Sequence, residues 1–234
     1  MQTLSLIPEC TIAVSTKEEG NIVSYEDLVR LPPLYKKDKV PYLPEHEHAT
    51  RIVYLTDENI ETPPVAADIV VTNSRRVVIA HQYADCVPFV CIDRKKKAFV
   101  SSHLGWKGLT MGGVQVSVMA LQAFAKSDPT DLWVWIGPCI QKQSYLFEAI
   151  PIQSMLSTWT TSIEQIEENG TIRWAIDLPG FIQSECSRIG IDPAQTISDG
   201  RDTYTEPEVF FSHRRFVEKA DQEKGNFAVM CWIN

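Results

Sequence analysis

The stretch ADCVPFVCIDRKKKAFVSSHLGWKG, residues 84–108, decides the fold. Two apolar runs, residues 87–93 and 97–103, flank the basic cluster of residues 94–97. We interpret this cluster as a solvated hairpin turn rather than a phosphate site, because short apolar runs separated by turn residues are typical of paired strands. The LGWKG segment that follows has two glycines and predicts a strand-to-helix junction.

The predicted hairpin brings together two reactive side chains. With a turn over residues 94–97, position 86 is expected to face about position 104 on the partner strand. The Cys86 thiol and the His103 imidazole should therefore meet at the open end of the hairpin. Cys91 lies an odd number of residues further along the strand, so it should point the other way, into the core.

A neighbouring cysteine and histidine support more than one chemistry. They suit a thiolate–imidazolium nucleophile, or two ligands of a metal ion that needs a third ligand. His46 and His48, in PEHEHATRIV, are candidates for that third ligand, although they also fit an ordinary surface loop. One His2Cys set would suit a single copper ion, but five histidines are too few for the several centres of a multicopper oxidase.

The rest of the chain predicts an α/β protein with mixed sheets. Strand patterns occur at residues 11–16, 49–56, 67–73, 75–81, 131–138, 171–177, 208–215 and 226–234. Helix patterns occur at residues 25–30, 111–125, 150–159 and 178–190. Strands and helices alternate in the second half of the chain, which favours the α/β class.

Composition narrows the classes of function. The 234 residues are 44% hydrophobic and 22% charged without an internal break, so a single domain over residues 1–234 is expected. A net charge of −8 argues against a nucleic-acid surface. No apolar run approaches the ~20 residues of a membrane span, the first residues lack a signal-peptide pattern, and six dispersed cysteines suit a reducing compartment. These features predict a cytoplasmic protein that binds neither nucleic acid nor membrane.

These motifs resemble the YfiH-like family, also known as laccase domain-containing or "polyphenol oxidase" proteins and regarded as purine nucleoside phosphorylases. ADCVPFVCID and SSHLGWKG resemble the family's ADCxP and HAGWRG elements. Other segments follow in the family's order: HEHATRIV resembles QVHGTRVV, ADIVVTN resembles ADGLVT, IGPCI resembles IGPxI, FFSHRR resembles FFSYRR, and GNFAVMCWI resembles GRxAxxIWI. The resemblance covers about residues 45–234.

The resemblance implies a single-domain layered sandwich of mixed β-sheets flanked by helices, similar to the cytotoxic necrotizing factor catalytic domain. It also implies a Zn²⁺ site formed by His48, Cys86 and His103, which match the histidine of QVHG, the cysteine of ADC and the histidine of HAGW. His46 falls on the glutamine of that pattern and His81 precedes ADC, so neither is expected to be a ligand.

The implied reactions are phosphorolysis of adenosine, inosine, guanosine and methylthioadenosine, together with adenosine deamination. Zn²⁺ is then the expected cofactor, and a purine nucleoside and phosphate are the expected partners. Lys107 and Arg214 are expected to bind substrate, and Asp85 is either a proton carrier or a turn-capping carboxylate. A copper-dependent phenol oxidase and a metal-free Cys–His hydrolase are the alternatives.

Four positions depart from the family pattern but spare the expected ligands. Lys17 stands at the arginine of TTRxGG, Asn226 at the arginine of GRxA, and Asp202 near the cysteine of a CT pair. His213 replaces the tyrosine of FFSYRR. These changes bear on which purine fits and how phosphate is held, since lysine supplies charge but not the planar fork of arginine.

Overall fold

The strands lie in three sheets within residues 1–7, 10–32, 39–168, 170–219 and 223–234, which are the residues that the computed structural model describes. The six-stranded sheet contains β4 (Ile52–Leu55), β5 (Ile69–Thr72), β7 (Val87–Asp93), β8 (Ala98–Leu104), β9 (Leu132–Ile136) and β13 (Thr196–Ser198). The five-stranded sheet contains β1 (Gln2–Ile7), β2 (Cys10–Val14), β3 (Val40–Tyr42), β6 (Val77–Tyr83) and β14 (Phe227–Ile233). The three-stranded sheet contains β10 (Leu146–Phe147), β11 (Ile163–Glu168) and β12 (Thr171–Ile176).

The two larger sheets are mixed. Their orders are β13-β9-β7-β8-β5-β4 and β1-β2-β14-β6-β3, and the small sheet has the order β10-β12-β11. Pairs β4–β5, β9–β13 and β3–β6 are parallel, whereas the central pairs are antiparallel. The helices are α1 (Tyr25–Leu28), α2 (Trp106–Thr110), α3 (Gly113–Ala125), α4 (Met155–Thr158), α5 (Leu178–Ile189) and α6 (His213–Glu218). The predicted α/β class, with mixed sheets flanked by helices, is confirmed.

The core explains why the sheets stack in layers. Val90 and Phe99 of the six-stranded sheet pack against Ile12 and Ile79 of the five-stranded sheet. The alternate residues of β7 and β8 face the opposite way, because successive side chains of a strand point to opposite faces. Cys91 and Val100 thus pack with the apolar faces of α3 and α5, which consist of Val114, Val118, Leu121, Leu178 and Ile182. Cys91 points into the core as predicted.

The hairpin register differs from the expected one by one residue. Asp93 pairs with Ala98, so residues 94–97 form the turn and all four are exposed. Val87 then pairs with Leu104, which places Cys86 opposite Gly105 rather than opposite residue 104. The glycine therefore faces the thiol across the end of the hairpin.

Several individual helices and strands were predicted wrongly or missed. The FFSHRR segment is not a strand: Phe210 and Phe211 are buried without strand pairing, and Ser212 caps α6 by accepting from the backbone N–H of Arg215. Buried apolar pairs in loops imitate a strand pattern, and this explains the error.

The helix expected at residues 150–159 covers only Met155–Thr158, and the one expected at 111–125 begins at Gly113. Five strands had no prediction: β1, β3, β10, β11 and β13.

None of the helices in the described part of the chain is both long enough and apolar enough to cross a membrane.

Candidate functional site

Three side chains from separate segments converge where β7 begins and β8 ends. One potential ligand atom from each of His48, Cys86 and His103 lies within 4.8 Å of the other two. His48 lies in the loop before β4, Cys86 directly precedes β7, and His103 is the penultimate residue of β8. Within the described residues, no other group of three or more His, Cys, Asp and Glu side chains converges in this way. Two imidazoles and a thiol are a donor set that suits Zn²⁺ with one position left for water or substrate.

His103 is the most buried member of this group, at 5% exposed. Neither of its ring nitrogens has a hydrogen-bond partner in the described structure. Burial, together with the neighbouring His46 and His48, lowers the pKa of His103 well below its usual value, so the ring is neutral. A buried polar atom without a partner costs about 1–3 kcal/mol. A metal ion bound to the unprotonated nitrogen would supply a partner for that atom, and the His103 ring therefore fits a ligand role.

The surroundings of Cys86 oppose a free thiolate. Desolvation, followed by the nearby charges of Asp85 and Asp68, raises the pKa of the Cys86 thiol to about 12. The neighbouring His103 is neutral, so it does not stabilise the thiolate as the imidazolium of a cysteine hydrolase does. A bound metal cation deprotonates a coordinating thiol outright. The site thus favours metal ligation over a metal-free nucleophile.

His46 and His81 form a second histidine pair beside this group. His81 Nε2 lies 3.2 Å from the Ser101 carbonyl oxygen and must therefore carry a proton. Burial lowers the pKa of His81 to about 4, so its Nδ1 is an unprotonated acceptor for His46 Nε2, 2.9 Å away. The two histidines of the HEH motif thus have different contacts. His46 bonds to His81, whereas His48 lies beside Cys86 and His103. The sequence carried no signal for the His46–His81 contact.

A pocket of about 580 Å³ adjoins the group. All five site residues predicted from sequence line this one pocket: His48, Cys86, His103, Lys107 and Arg214. Its wall also includes four aromatic side chains, from Trp106, Tyr145, Phe147 and Phe216, and a further lysine, Lys224. The volume is within the range typical of small-molecule sites. Which of these residues contact a ligand stays a prediction.

Arg214 is held in place by aromatic stacking. Its guanidinium carbon lies 4.9 Å from the ring centre of Tyr145 and 4.5 Å from that of Phe147. Nη1 donates to the Leu146 carbonyl and approaches Glu218 at 3.5 Å. Stacking of this kind pre-orients the planar guanidinium fork. Tyr145 and Phe147 were missed from sequence because they lie in a segment without a motif or a clear period.

Asp85 joins the ADC motif to α6. It is a buried residue with a φ of 89°, and burial raises the pKa of its carboxyl group. The carboxylate accepts from Thr203 Oγ1 and from the backbone N–H of Arg214, each at 2.7 Å. A carboxylate is favourable at a helix N-terminus, so these contacts fit the turn-capping interpretation of Asp85.

The departures from the family pattern fall in different places. Asn226 and His213 line the pocket. Lys17 does not, and its Nζ lies 5.0 Å from the ring centre of Phe211. Asp202 is buried and accepts from Ser144 Oγ at 2.6 Å, so it organises a loop. The pocket itself thus differs from the family pattern at Asn226 and His213.

The fold and the site define an α/β protein with a candidate His2Cys metal centre beside a small-molecule pocket. Residues 33–234 match the family described as "multi-copper polyphenol oxidoreductase laccase", and the chain belongs to that family.

Relatives support this assignment and bear names of a different activity. The chain is 28% identical over 169 residues to a "purine nucleoside phosphorylase" of Xylella fastidiosa. This match covers 71% of this chain and 61% of the relative. The chain thus spans less than two thirds of that relative's length. It is 25% identical over 189 residues to "purine nucleoside phosphorylase YfiH" of Escherichia coli, covering 81% of this chain and 72% of the relative. The resemblance to the YfiH-like family is confirmed.

Solved structures share the fold. YlmD from Geobacillus stearothermophilus superposes with a TM-score of 0.84 at 21% identity, covering 97% of this chain and 93% of the other. A YfiH protein of Bacillus licheniformis gives a TM-score of 0.79 at 20% identity, covering 99% of each chain. At this level of identity the comparison shows the fold alone.

Proposed function

We propose that this chain is a zinc-dependent purine nucleoside phosphorylase that acts on adenosine, inosine, guanosine and methylthioadenosine, and that it also deaminates adenosine. The observation that carries the proposal is the buried, unpartnered His103 imidazole beside Cys86 and His48 in the wall of a 580 Å³ pocket. The names of the relatives supply the class of reaction.

The donor set favours Zn²⁺ over copper. His48, Cys86 and His103 would hold the ion, and the pocket leaves the group accessible to a further ligand. When bound, Zn²⁺ supplies a Lewis acid that also lowers the pKa of water. Five histidines in the whole chain cannot furnish several copper centres, whatever the family's description.

The remaining pocket residues suit the substrates of phosphorolysis. In that reaction a phosphate oxygen bonds to the anomeric carbon of the ribose as the bond to the purine nitrogen breaks, and the purine leaves with the electron pair and takes up a proton. The charges of Lys107 and Arg214 favour the phosphate anion at the pocket. The rings of Tyr145 and Phe147 provide apolar surface for the purine.

Metal analysis followed by an assay of adenosine tests the proposal. The purified protein should contain about one Zn²⁺ per chain, and adenine should form only when phosphate is present. Inosine should form with or without phosphate if the chain deaminates adenosine. If neither adenine nor inosine appears with the zinc-loaded protein, the proposed activity is wrong.

The two alternatives give different results in the same samples. A copper-dependent phenol oxidase would show a strong thiolate-to-copper absorption and oxidise phenols without phosphate. A metal-free Cys–His hydrolase would survive chelators and lose activity when Cys86 is alkylated.

The proposed setting is the cytoplasm, and the proposed partners are a purine nucleoside and phosphate, without nucleic acid or membrane. All six cysteines are free thiols, as a reducing compartment requires. The net charge of −8 supports the absence of nucleic-acid binding.

A further inference from the structure

Asp68, directly before β5, is a fully buried carboxylate that touches the candidate metal centre without belonging to it. We propose that Asp68 is a positioning residue that sets the geometry of two of the three metal-binding side chains, His48 and His103. This inference rests on the proposed metal site and concerns a role that no ligand motif predicts.

The carboxylate organises the loop that carries His48. Its oxygens accept three consecutive backbone N–H groups, from Glu47 at 3.3 Å, His48 at 3.0 Å and Ala49 at 2.8 Å. The loop therefore wraps around one buried negative charge. Hydrogen bonds to an ionised acceptor are about twice as strong as neutral ones, so this carboxylate is a strong local constraint on the loop.

His48 needs such a constraint because its backbone is unusual. Its φ is 56°, in the left-handed region that non-glycine residues seldom adopt. The family pattern has glycine one residue later, where this chain has Ala49. A strained residue of this kind persists only where its surroundings over-determine it, and the three bonds to Asp68 do so.

The main chain of Asp68 reaches the second histidine. Its carbonyl oxygen accepts the backbone N–H of His103 at 2.8 Å. The flanking strand pair continues this register, with Ile69 opposite Ser102. One residue thus fixes the His48 loop through its side chain and the end of β8 through its main chain. The main-chain positions of the two histidines are thus fixed relative to each other before any metal binds.

Asp68→Asn tests this role, with metal binding rather than activity as the readout. The amide keeps the size of the side chain but replaces one acceptor oxygen with a donor that opposes a backbone N–H. Zinc affinity is expected to fall about 10- to 100-fold, as for other residues that orient metal ligands. The Co²⁺-loaded variant should show the visible spectrum of Co²⁺-loaded His48→Ala, because both lack a positioned His48.

Asp202→Asn is the matched control. Asp202 is also a buried carboxylate that accepts backbone N–H groups, but these belong to Gln141 and Tyr204 and not to a proposed metal ligand. This variant should keep the zinc affinity and cobalt spectrum of the unmodified protein. The positioning role is overturned if Asp68→Asn keeps both as well, or if Asp202→Asn loses affinity to the same extent.

A measurement on the unmodified chain covers the case in which Asp68→Asn does not fold. Hydrogen exchange of the His48 and Ala49 amides should stay slow after zinc is removed, because the carboxylate and not the metal holds them. Fast exchange in the metal-free protein would overturn the positioning role. Absence of zinc binding by the unmodified protein would instead overturn the proposed function, and the exchange result would still stand.

Discussion

Gly105 lies so close to Cys86 that a Cβ atom at position 105 would be 2.8 Å from the Cys86 sulfur. The same atom would be 3.7 Å from Cδ2 of His48. The glycine of the HLGW segment is thus required by the approach of the strand end to the thiol, not by a left-handed backbone. The Cys86 sulfur and the His48 imidazole can approach each other here because position 105 has no side chain.

Gly105→Ala is therefore expected to weaken metal binding while the fold survives. The added methyl group displaces the Cys86 sulfur, and we expect zinc affinity to fall at least about 10-fold, the scale on which misplaced ligands cost affinity. Isothermal titration with Zn²⁺ and circular dichroism on the same sample check this. Unchanged zinc affinity in a folded variant would show that Cys86 is not a ligand.

The sequence predicted the central hairpin well because its signals are local. Residues 87–93 and 97–103 were predicted as strands on both sides of a polar turn. They correspond to β7 and, shifted by one residue, to β8. Strand β3 and strand β13 are only three residues long and gain their pairing from neighbours far along the chain. Such strands have no period of their own, so composition cannot reveal them.

The candidate site likewise combines a local feature that the sequence predicts with a tertiary contact that it does not. The approach of Cys86 to His103 followed from hairpin geometry, with an error of one residue in the register. The H-x-H pattern offered both His46 and His48 as a third ligand, and only the resemblance chose His48, because its loop is held by Asp68 from a distant segment. Contacts such as that one depend on tertiary folding and leave no trace in spacing.

Cys86→Ala and Cys91→Ala form a matched pair that tests the ligand assignment. Cys86→Ala removes one of three proposed ligands and should lower zinc affinity by more than about 100-fold. This exceeds the loss of about 10- to 100-fold that is typical when a residue that only orients a ligand is replaced. Cys91→Ala removes a similar thiol from the core beside α3 and α5, so it should lower the free energy of unfolding but leave zinc content unchanged. Equal zinc content in the two variants would rule out Cys86.

Lys107→Gln should weaken phosphate binding. Lys107 is exposed and lines the pocket, so its loss removes a positive charge without disturbing the core. The KM for phosphate should rise about 5-fold, corresponding to about 1 kcal/mol for a partly solvated charge. Lys96→Gln, in the exposed hairpin turn, should leave that KM unchanged. A rise in both variants would indicate a general charge effect.

Asp85→Asn separates the two interpretations of Asp85. As a cap, Asp85 supports Thr203 and the start of α6, and its loss should lower the free energy of unfolding by about 1–3 kcal/mol. Urea denaturation measures this, with Asp131→Asn as the control because Asp131 pairs with the exposed Lys95 at the surface. If stability is unchanged while kcat falls, Asp85 is a proton carrier instead.

His81 should make the metal-free protein less stable in mild acid. Burial lowers the pKa of His81 to about 4 in the folded state, whereas an exposed histidine has a pKa of about 6.5. Above pH 6.5 neither state binds the proton and the stabilising contribution is complete. As the pH falls from 6.5 towards 4, the unfolded state binds a proton that the folded state does not bind. The free energy of unfolding therefore decreases across that pH range.

The size of this loss can be measured with one substitution. The free energy of unfolding should fall by about 2 kcal/mol between pH 7 and pH 5 from His81 alone, at about 1.4 kcal/mol per pH unit of differential titration. His81→Gln cannot titrate, but its side chain retains an acceptor for His46 and a donor for the Ser101 carbonyl. Urea denaturation of both metal-free proteins at the two pH values should show a smaller decrease in the variant. An equal decrease would mean that His81 is protonated at the same pH in the folded and unfolded chains, and that its bond to His46 does not depend on a neutral ring.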